Sequence, residues 1–125
     1  MRDVISTPGA PSSPFFSQGV KAGPFLLISG MTGLDTSTGE LAGPTVQEQT
    51  WQAIANCGEV LKAAGLSLDD VVEVGVLLTH PADFAGMNEE YVRHFPENPP
   101  ARYVTKLGVD LPGILVSIRM TAYTG

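Results

Sequence analysis

Residues 71–78 read Val71-Val-Glu-Val-Gly-Val-Leu-Leu78, a β-prone run that is apolar at nearly every position. A strand with one solvated face alternates apolar and polar residues, whereas a nearly continuous apolar strand is buried on both faces. This pattern predicts a central strand of a sheet that is covered on both sides.

The segment before this strand predicts a helix from about Thr45 to Ala64. Thr45 is suited to cap it, because Glu48 stands three residues on and completes a capping box, and Gly65 is suited to end it. The apolar positions recur every three or four residues: Val46, Ala53, Ile54, Cys57, Val60, Leu61 and Ala64.

The segment after the strand predicts a second helix, from Pro81 to about His94, with His80 or Thr79 as its cap. Four large side chains are expected to point inward from it: Phe84, Met87, Tyr91 and Phe95. Two helices cover only one face of a sheet, and the chain has no further residues for the other face. We therefore predict a homo-oligomer.

The remaining segments predict further strands. One begins within Phe15–Val20, turns at Lys21–Pro24 and returns as Phe25–Ser29, which Gly30 ends; this is a hairpin. Leu34–Gly43 is expected to be a loop with a turn at Thr38–Glu40. Two late strands are predicted at Tyr103–Val109 and Leu115–Tyr123. The sum is an α+β domain spanning residues 1–125, with a mixed sheet and both helices on one face.

Composition narrows the function classes. The 125 residues suit one domain, and 43% are hydrophobic, enough for a core. Seven basic residues against 13 acidic ones give a net charge of −6, which repels nucleic acid. No apolar run approaches the roughly 18 residues of a membrane span, and no signal peptide is recognisable. The single cysteine, Cys57, favours a reducing, cytoplasmic location.

Arg102 is the first candidate for chemistry, within Asn98-Pro-Pro-Ala-Arg102-Tyr-Val-Thr-Lys106. Pro99 and Pro100 fix their own φ angles and push the residue before each toward extended geometry. A guanidinium held in this way can grip a carboxylate with two parallel hydrogen bonds. The competing interpretation from this stretch alone is a surface arginine at the start of a strand.

Other reactive side chains have structural interpretations. Cys57 lies on the apolar stripe of the first helix and is expected to be buried and inert. His80 and His94 have no partners at metal-ligand spacing, so no metal site is predicted. No glycine-rich phosphate loop or nucleophile elbow is present.

Several segments together resemble one known family. In order along nearly the whole chain they are Phe16-Ser17-Gln18-Gly19-Val20, Leu27-Ile28-Ser29-Gly30, Thr38-Gly39-Glu40, Gln49–Asn56, Ala63–Ser67, Asp69–Val72, Asp83-Phe84, Met87–Tyr91, Pro100-Ala101-Arg102 and Leu111-Pro112. The chain resembles the reactive intermediate deaminase (RidA/YjgF) family, formerly described as L-PSP endoribonucleases. The resemblance implies a chorismate-mutase-like fold and a homotrimer with a β-barrel-like core and clefts between subunits.

The resemblance also implies an activity. Family deaminases hydrolyse reactive enamino or imino acids, of the 2-iminobutanoate and 2-iminopropanoate type, to 2-keto acids and ammonia without a cofactor. The carboxylate-gripping arginine of the family falls on Arg102, and Ser29, Gly30 and Asn88 match its cleft. Phe16 stands where the family carries an aromatic hydroxyl, so that hydroxyl is absent here. Val104 stands where the family often has a cysteine. Tyr103 is assigned to the substrate-binding residues as a substitute polar group.

The main departure from the family is Ser117, which replaces the glutamate that holds the attacking water. A hydroxyl orients water more weakly than a carboxylate and is no base near pH 7. We assign Arg102 and Ser117 as the catalytic pair and expect a slow deaminase or one with a different substrate. A non-catalytic binder of small carboxylates, or a regulatory partner, is the competing hypothesis. A ribonuclease is disfavoured by the acidic charge.

Overall fold

The structure is a computed structural model that describes all 125 residues. Its strands are β1 (Arg2–Ile5), β2 (Gly19–Ala22), β3 (Phe25–Thr32), β4 (Leu34–Asp35), β5 (Glu40–Leu41), β6 (Val71–Leu78), β7 (Ala101–Lys106) and β8 (Val116–Tyr123). Its helices are α1 (Val46–Ala63) and α2 (Phe84–His94). Six strands form one sheet in the order β1-β2-β3-β8-β6-β7, and β4 pairs with β5. Only β6 and β7 are parallel in the large sheet, so the predicted α+β class with a mixed sheet is confirmed.

The first helix forms as its terminal signals predict. The Thr45 side chain accepts a hydrogen bond from the backbone N–H of Glu48, while the Glu48 carboxylate accepts one from the backbone N–H of Thr45. This box satisfies two amides that the helix itself leaves unpaired. At the other end, Gly65 takes a φ of +76°, a left-handed conformation that ends the helix.

The hydrophobic core lies between the helices and one face of the sheet. Alternate residues of β8 point into it, namely Val116, Ile118, Met120 and Ala122. From the helix side Ile54, Cys57, Val60 and Leu61 of α1 meet them, and Met87 and Tyr91 of α2 complete the core. The period of two along β8 and of three to four along α1 therefore agree on a single buried layer.

Several predicted boundaries are wrong at the N-terminal end. Arg2–Ile5 forms an edge strand that the prediction missed, and the strand expected within Phe15–Val20 begins at Gly19. The buried amide of Gln18 explains the delay, because it bonds to the backbone of Thr7, Ala10 and Pro11 and holds a compact loop there. Lys21 and Ala22 belong to β2, so the hairpin turn is confined to Gly23 and Pro24.

Two glycine-linked expectations also change. Gly30 does not end its strand: β3 runs on to Thr32, and its register with β8 shifts between Ile28 and Met31. A glycine within a strand commonly marks such a bulge. The loop predicted at 34–43 contains the small β4–β5 hairpin, whose turn does include Gly39, at a φ of +78°.

The start of α2 differs from its prediction as well. A short 3₁₀ turn at Pro81–Asp83 precedes the α-helix, and neither predicted cap bonds to it through its side chain. His80 makes no capping bond, and the Thr79 hydroxyl donates instead to the carbonyl of Ile114, at 2.6 Å. Phe84 is 46% exposed rather than inward, whereas Met87, Tyr91 and Phe95 are buried as predicted.

The approach to β7 departs from the expected extended geometry. Asn98, which precedes the two prolines, has a φ of +47° and is left-handed. Asparagine tolerates this conformation better than most residues, and here it turns the chain between α2 and β7. The late strands are shorter than predicted, since β7 spans Ala101–Lys106 and β8 begins at Val116.

The second face of the sheet carries no helix, and we call it the open face. It presents Val4, Phe25, Leu27, Leu77, Tyr103, Ser117, Arg119 and Tyr123. Five of these, Val4, Phe25, Leu27, Tyr103 and Tyr123, are large apolar or aromatic side chains with much exposed surface. On β6 the open face is filled locally by Tyr103 lying over Gly75.

A membrane-crossing helix is absent, since neither α1 nor α2 combines the required length with the required hydropathy.

Candidate functional site

Arg102 is half-buried between its own strand and α2. It lies on the helix-facing side of β7, and its Nη1 donates a hydrogen bond of 2.7 Å to Oδ1 of Asn88. The same nitrogen is 3.9 Å from the sulfur of Met87. Two of the predicted site residues, Arg102 and Asn88, are therefore brought together. Nη2 and Nε of Arg102 make no hydrogen bond to the protein, so one edge of the guanidinium remains available.

Two aromatic rings complete the surroundings of this guanidinium. Its Cζ lies 4.7 Å from the ring centroid of Tyr91 and 5.9 Å from that of Phe84. Burial raises the pKa of Tyr91, and the charge of Arg102 partly offsets that rise. The apolar pattern of the second helix predicted that both rings would lie in the core. Their spacing with Asn88, four residues and then three, is the signal that places all three on one side of a helix.

A groove of about 450 Å³ opens next to Arg102. It is lined by Leu78, Pro81, Phe84, Val104, Thr105 and Lys106. Val104 is two residues from Arg102 and points to the same side of β7, and Phe84 belongs both to the groove and to the guanidinium surroundings. The predicted site residue Val104 therefore lies beside Arg102, and the groove carries no acidic side chain.

A second set of predicted residues meets elsewhere. The Ser29 hydroxyl donates to the carbonyl of Ser17 at 2.6 Å, which places the Phe16–Gln18 segment against β3. A Cβ built on Gly30 would lie 2.8 Å from Oγ of Ser117, so these two residues are in direct contact. Phe16 is 40% exposed and precedes Ser17 in the segment that Ser29 holds. We call Phe16, Ser29, Gly30 and Ser117 the serine cluster.

Within one chain the two sets do not face each other. Ser117 alternates with Val116 and Ile118, which are buried under the helices, so its side chain belongs to the open face. Arg102 lies on the helix side of β7, with β6 between its strand and that of Ser117. A single small substrate cannot contact both side chains of the same protomer.

Tyr103 lies with the second set rather than the first. Neighbouring residues of a strand point to opposite faces, so Tyr103 points away from Arg102. Its ring and hydroxyl occupy the space that a Cβ on Gly75 would need. Tyr103 is therefore a residue of the open face, where its hydroxyl is on the same side of the sheet as Ser117.

Arg119 and His94, two further candidates for binding charge, are each paired within the chain. Arg119 on the open face donates to Glu73 at 3.1 Å and to the hydroxyl of Thr121 at 2.8 Å. His94 pairs with Glu90 at 2.8 Å. Burial raises the pKa of Cys57 to about 12, against a smaller opposing effect of Arg119, so its thiol is inert. No group of three His, Cys, Asp or Glu side chains is placed to hold a metal ion.

The chain matches known proteins along nearly its whole length. A family model described as endoribonuclease L-PSP matches residues 7–124. A RutC family protein of Pyrococcus horikoshii is 41% identical over 125 residues, covering 98% of each chain. A 2-iminobutanoate/2-iminopropanoate deaminase of Mus musculus is 40% identical over 127 residues, covering 100% of this chain and 93% of its own.

Solved structures agree with this result. The crystal structure of RidA from an Antarctic Psychrobacter species superposes with a TM-score of 0.89 at 37% identity, covering 97% of this chain and 98% of its own. Escherichia coli TdcF, crystallised with bound serine, superposes with a TM-score of 0.90 at 28% identity, covering 98% and 99%. The architecture described above is therefore shared with these proteins almost end to end.

Proposed function

Because this chain belongs to the endoribonuclease L-PSP family, which includes the RidA proteins, we propose that it is an enamine/imine deaminase. It converts reactive 2-imino or 2-enamino acids to 2-keto acids and ammonia, and it needs no cofactor. The observation that carries this proposal is the half-buried Arg102, which Asn88 orients and which keeps one edge free for a carboxylate.

Hydrolysis of an imine requires little catalytic assistance from the protein. Water adds to the carbon of the C=N bond and gives a tetrahedral amino alcohol; the C–N bond then breaks, and ammonia leaves with a proton from the hydroxyl. Imines hydrolyse readily unaided, so fixing the substrate carboxylate and a nearby water is enough to accelerate the reaction. Arg102 would hold the carboxylate, and the serine cluster would place the water.

We further propose that the active form is a homotrimer with its sites between subunits. Arg102 and Ser117 lie on opposite faces of the sheet in one chain, so a second copy must supply the missing half of each cleft. The apolar surface of the open face supports the same assembly, because Phe25, Leu27 and Tyr123 are each more than 40% exposed in one chain. The buried, unpaired Cys57 supports a reducing compartment, and we place the protein in the cytoplasm.

The names of the relatives support the reaction type. Mouse and human relatives are named 2-iminobutanoate/2-iminopropanoate deaminases. TdcF was crystallised with serine, a small amino acid that carries the carboxylate Arg102 would grip. Ser117 stands where the resemblance implies a glutamate, so we propose that the rate is low or that the preferred substrate differs.

A coupled assay tests the activity. An amino-acid oxidase generates the imine from its amino acid, and semicarbazide competes for it; the deaminase lowers the semicarbazone yield as it forms the keto acid. We expect faster keto-acid formation with the wild-type protein and a loss with Arg102→Ala. Arg102→Lys should recover little, because an ammonium cannot form the paired hydrogen bonds. Equal rates with wild type, Arg102→Ala and no protein would refute the enzyme.

A non-catalytic carboxylate binder is the second candidate, and Ser117 is the observation that favours it. The two candidates differ in turnover, not in binding. Calorimetry with 2-oxobutanoate should show saturable binding that Arg102→Ala abolishes in either case. Binding with no turnover would assign the regulatory role, and absence of binding would remove both candidates.

A further inference from the structure

We propose that Tyr91 is a positioning residue that holds the Arg102 guanidinium flat, with its free edge directed at the substrate carboxylate. This inference rests on the proposed carboxylate-binding role of Arg102. It assigns a functional part to a residue that burial and sequence pattern alone assign to the core.

The guanidinium is restrained from two directions. Its Cζ lies 4.7 Å from the Tyr91 ring centroid, within the range of a cation–π contact, and Nη1 donates to Asn88 at 2.7 Å. A ring below and an acceptor at one end fix both the plane and the rotation of the group. Phe84 is farther, at 5.9 Å, and half exposed, so it contributes less to this restraint.

The ring of Tyr91, rather than its hydroxyl, carries the proposed role. Tyr91 is only 7% exposed, and its hydroxyl oxygen is buried without a hydrogen-bond partner. A buried hydroxyl without a hydrogen-bond partner lowers the stability of the fold, so the Tyr91 hydroxyl does not stabilise a single protomer. Phenylalanine should therefore replace tyrosine here without loss of carboxylate binding.

Phe95 provides a matched control for the core. Its ring centroid lies 4.9 Å from that of Tyr91, and it is equally buried, at 7% exposure. Phe95 does not stack on Arg102. Phe95→Leu should therefore loosen the same part of the core without releasing the guanidinium.

Calorimetric titration with 2-oxobutanoate, paired with thermal unfolding of the same samples, tests the proposal. We expect Tyr91→Phe to bind as wild type with an equal or higher midpoint. Tyr91→Leu should bind roughly 3- to 30-fold more weakly, the range of a partly desolvated cation–π contact. Phe95→Leu should lower the midpoint and leave the dissociation constant unchanged.

A ligand-free readout separates this proposal from the proposed function. In nitrogen–proton NMR spectra the Arg102 Nε–H signal is identified by its loss in Arg102→Ala. The nearby ring should displace this signal from its ordinary position, so it should move in Tyr91→Leu and stay in Tyr91→Phe. If wild type binds no keto acid but this pattern holds, the function fails and the positioning stands.

Three results would overturn the positioning role. They are wild-type affinity in folded Tyr91→Leu, equal weakening by Phe95→Leu, or equal weakening by Tyr91→Phe, which would assign the role to the hydroxyl. Should Tyr91→Leu fail to fold, Tyr91→Met supplies a longer, flexible side chain without a ring and is judged by the same outcomes.

Discussion

Arg102 depends on its neighbours in sequence for its backbone and on its neighbours in space for its side chain. Pro99 and Pro100 stiffen the approach to β7, while Asn88 and Tyr91 from α2 fix the guanidinium. Proline stiffness is readable from the chain, because it is a covalent property. The contact with Tyr91 is not, since it depends on how α2 packs over β7.

Ser117 invites a gain-of-function test at the residue scale. Ser117→Glu places a carboxylate beside Gly30, where it can orient water and accept a proton. We expect imine hydrolysis in the coupled assay to rise by up to about 10²-fold, within the range of general-base assistance. Ser117→Gln has the same size without the charge and is the control. Equal rates for the two variants would show that charge at this position is not what limits turnover.

Cys57 makes stability depend on alkaline pH. Its folded pKa is raised to about 12 by burial, whereas a free thiol titrates near 8.5. A group whose pKa is higher in the folded state than in the unfolded state contributes its full stability at pH values below the unfolded pKa. That contribution is lost as the pH rises from the unfolded pKa to the folded pKa. The free energy of unfolding should therefore fall between about pH 8.5 and 12, by at most ~1.4 kcal/mol per pH unit from this group.

Denaturant titrations of wild type and Cys57→Ala across this pH range isolate the thiol from the other ionising groups. We expect the variant to have the lower stability at pH 7 because it leaves a small cavity, but the shallower decline above pH 8.5. Parallel declines in the two proteins would contradict the burial of the thiol.

At the scale of elements, α1 is the part of the fold that the sequence describes best. Its capping box, its apolar stripe and its glycine stop are all local signals, and all three are present in the structure. The contact between α1 and the chain after β3 is different. Gly33 is needed there because a Cβ would lie 2.7 Å from Cα of Gln49.

Two glycine substitutions of opposite sign test this element. Gly33→Ala should destabilise by about 1–3 kcal/mol, since backbone atoms of α1 would have to move away. Gly58→Ala, inside α1 with nothing within 4 Å of the added carbon, should stabilise by about 0.5–1 kcal/mol through helix propensity. Urea unfolding measures both. Destabilisation by Gly58→Ala would mean that α1 is covered on this side.

At the scale of the whole molecule, a single chain leaves the open face exposed and keeps Arg102 and Ser117 on opposite sides of the sheet. The structural relatives confirm the chorismate-mutase-like fold expected from the resemblance. The homotrimer stays a prediction. Its physical basis is an apolar open face together with two half-sites that point away from each other.

Leu27→Glu tests the role of the open face in association. A charge in the centre of an apolar interface is costly to bury, so we expect sedimentation velocity to show a shift from trimer to monomer. Val92→Glu, on an exposed position of α2, is the matched control and should leave the assembly unchanged. A wild-type protein that sediments as a monomer would remove the trimer proposal altogether.

Subunit mixing tests the shared site. Arg102→Ala disables one half-site and Ser117→Leu obstructs the other, so each variant alone should bind no 2-oxobutanoate. Co-refolding at equal amounts should restore roughly a quarter of the clefts, the fraction expected for random assembly of two-chain sites. No recovery despite normal assembly would place the complete site within one chain.

The sequence by itself determined both helices, the main strands of the sheet, the ends of α1 and the single core, and it indicated Arg102 as the candidate for chemistry. These depend on signals a few residues apart: periodicity, caps, and the two prolines that precede Arg102. Tertiary structure alone decided that Gly30 forms a bulge, that Tyr91 lies under Arg102, and that Arg102 and Ser117 occupy opposite faces. Such relations depend on which strand lies beside which, because distances across a sheet are fixed by packing between segments remote in the chain.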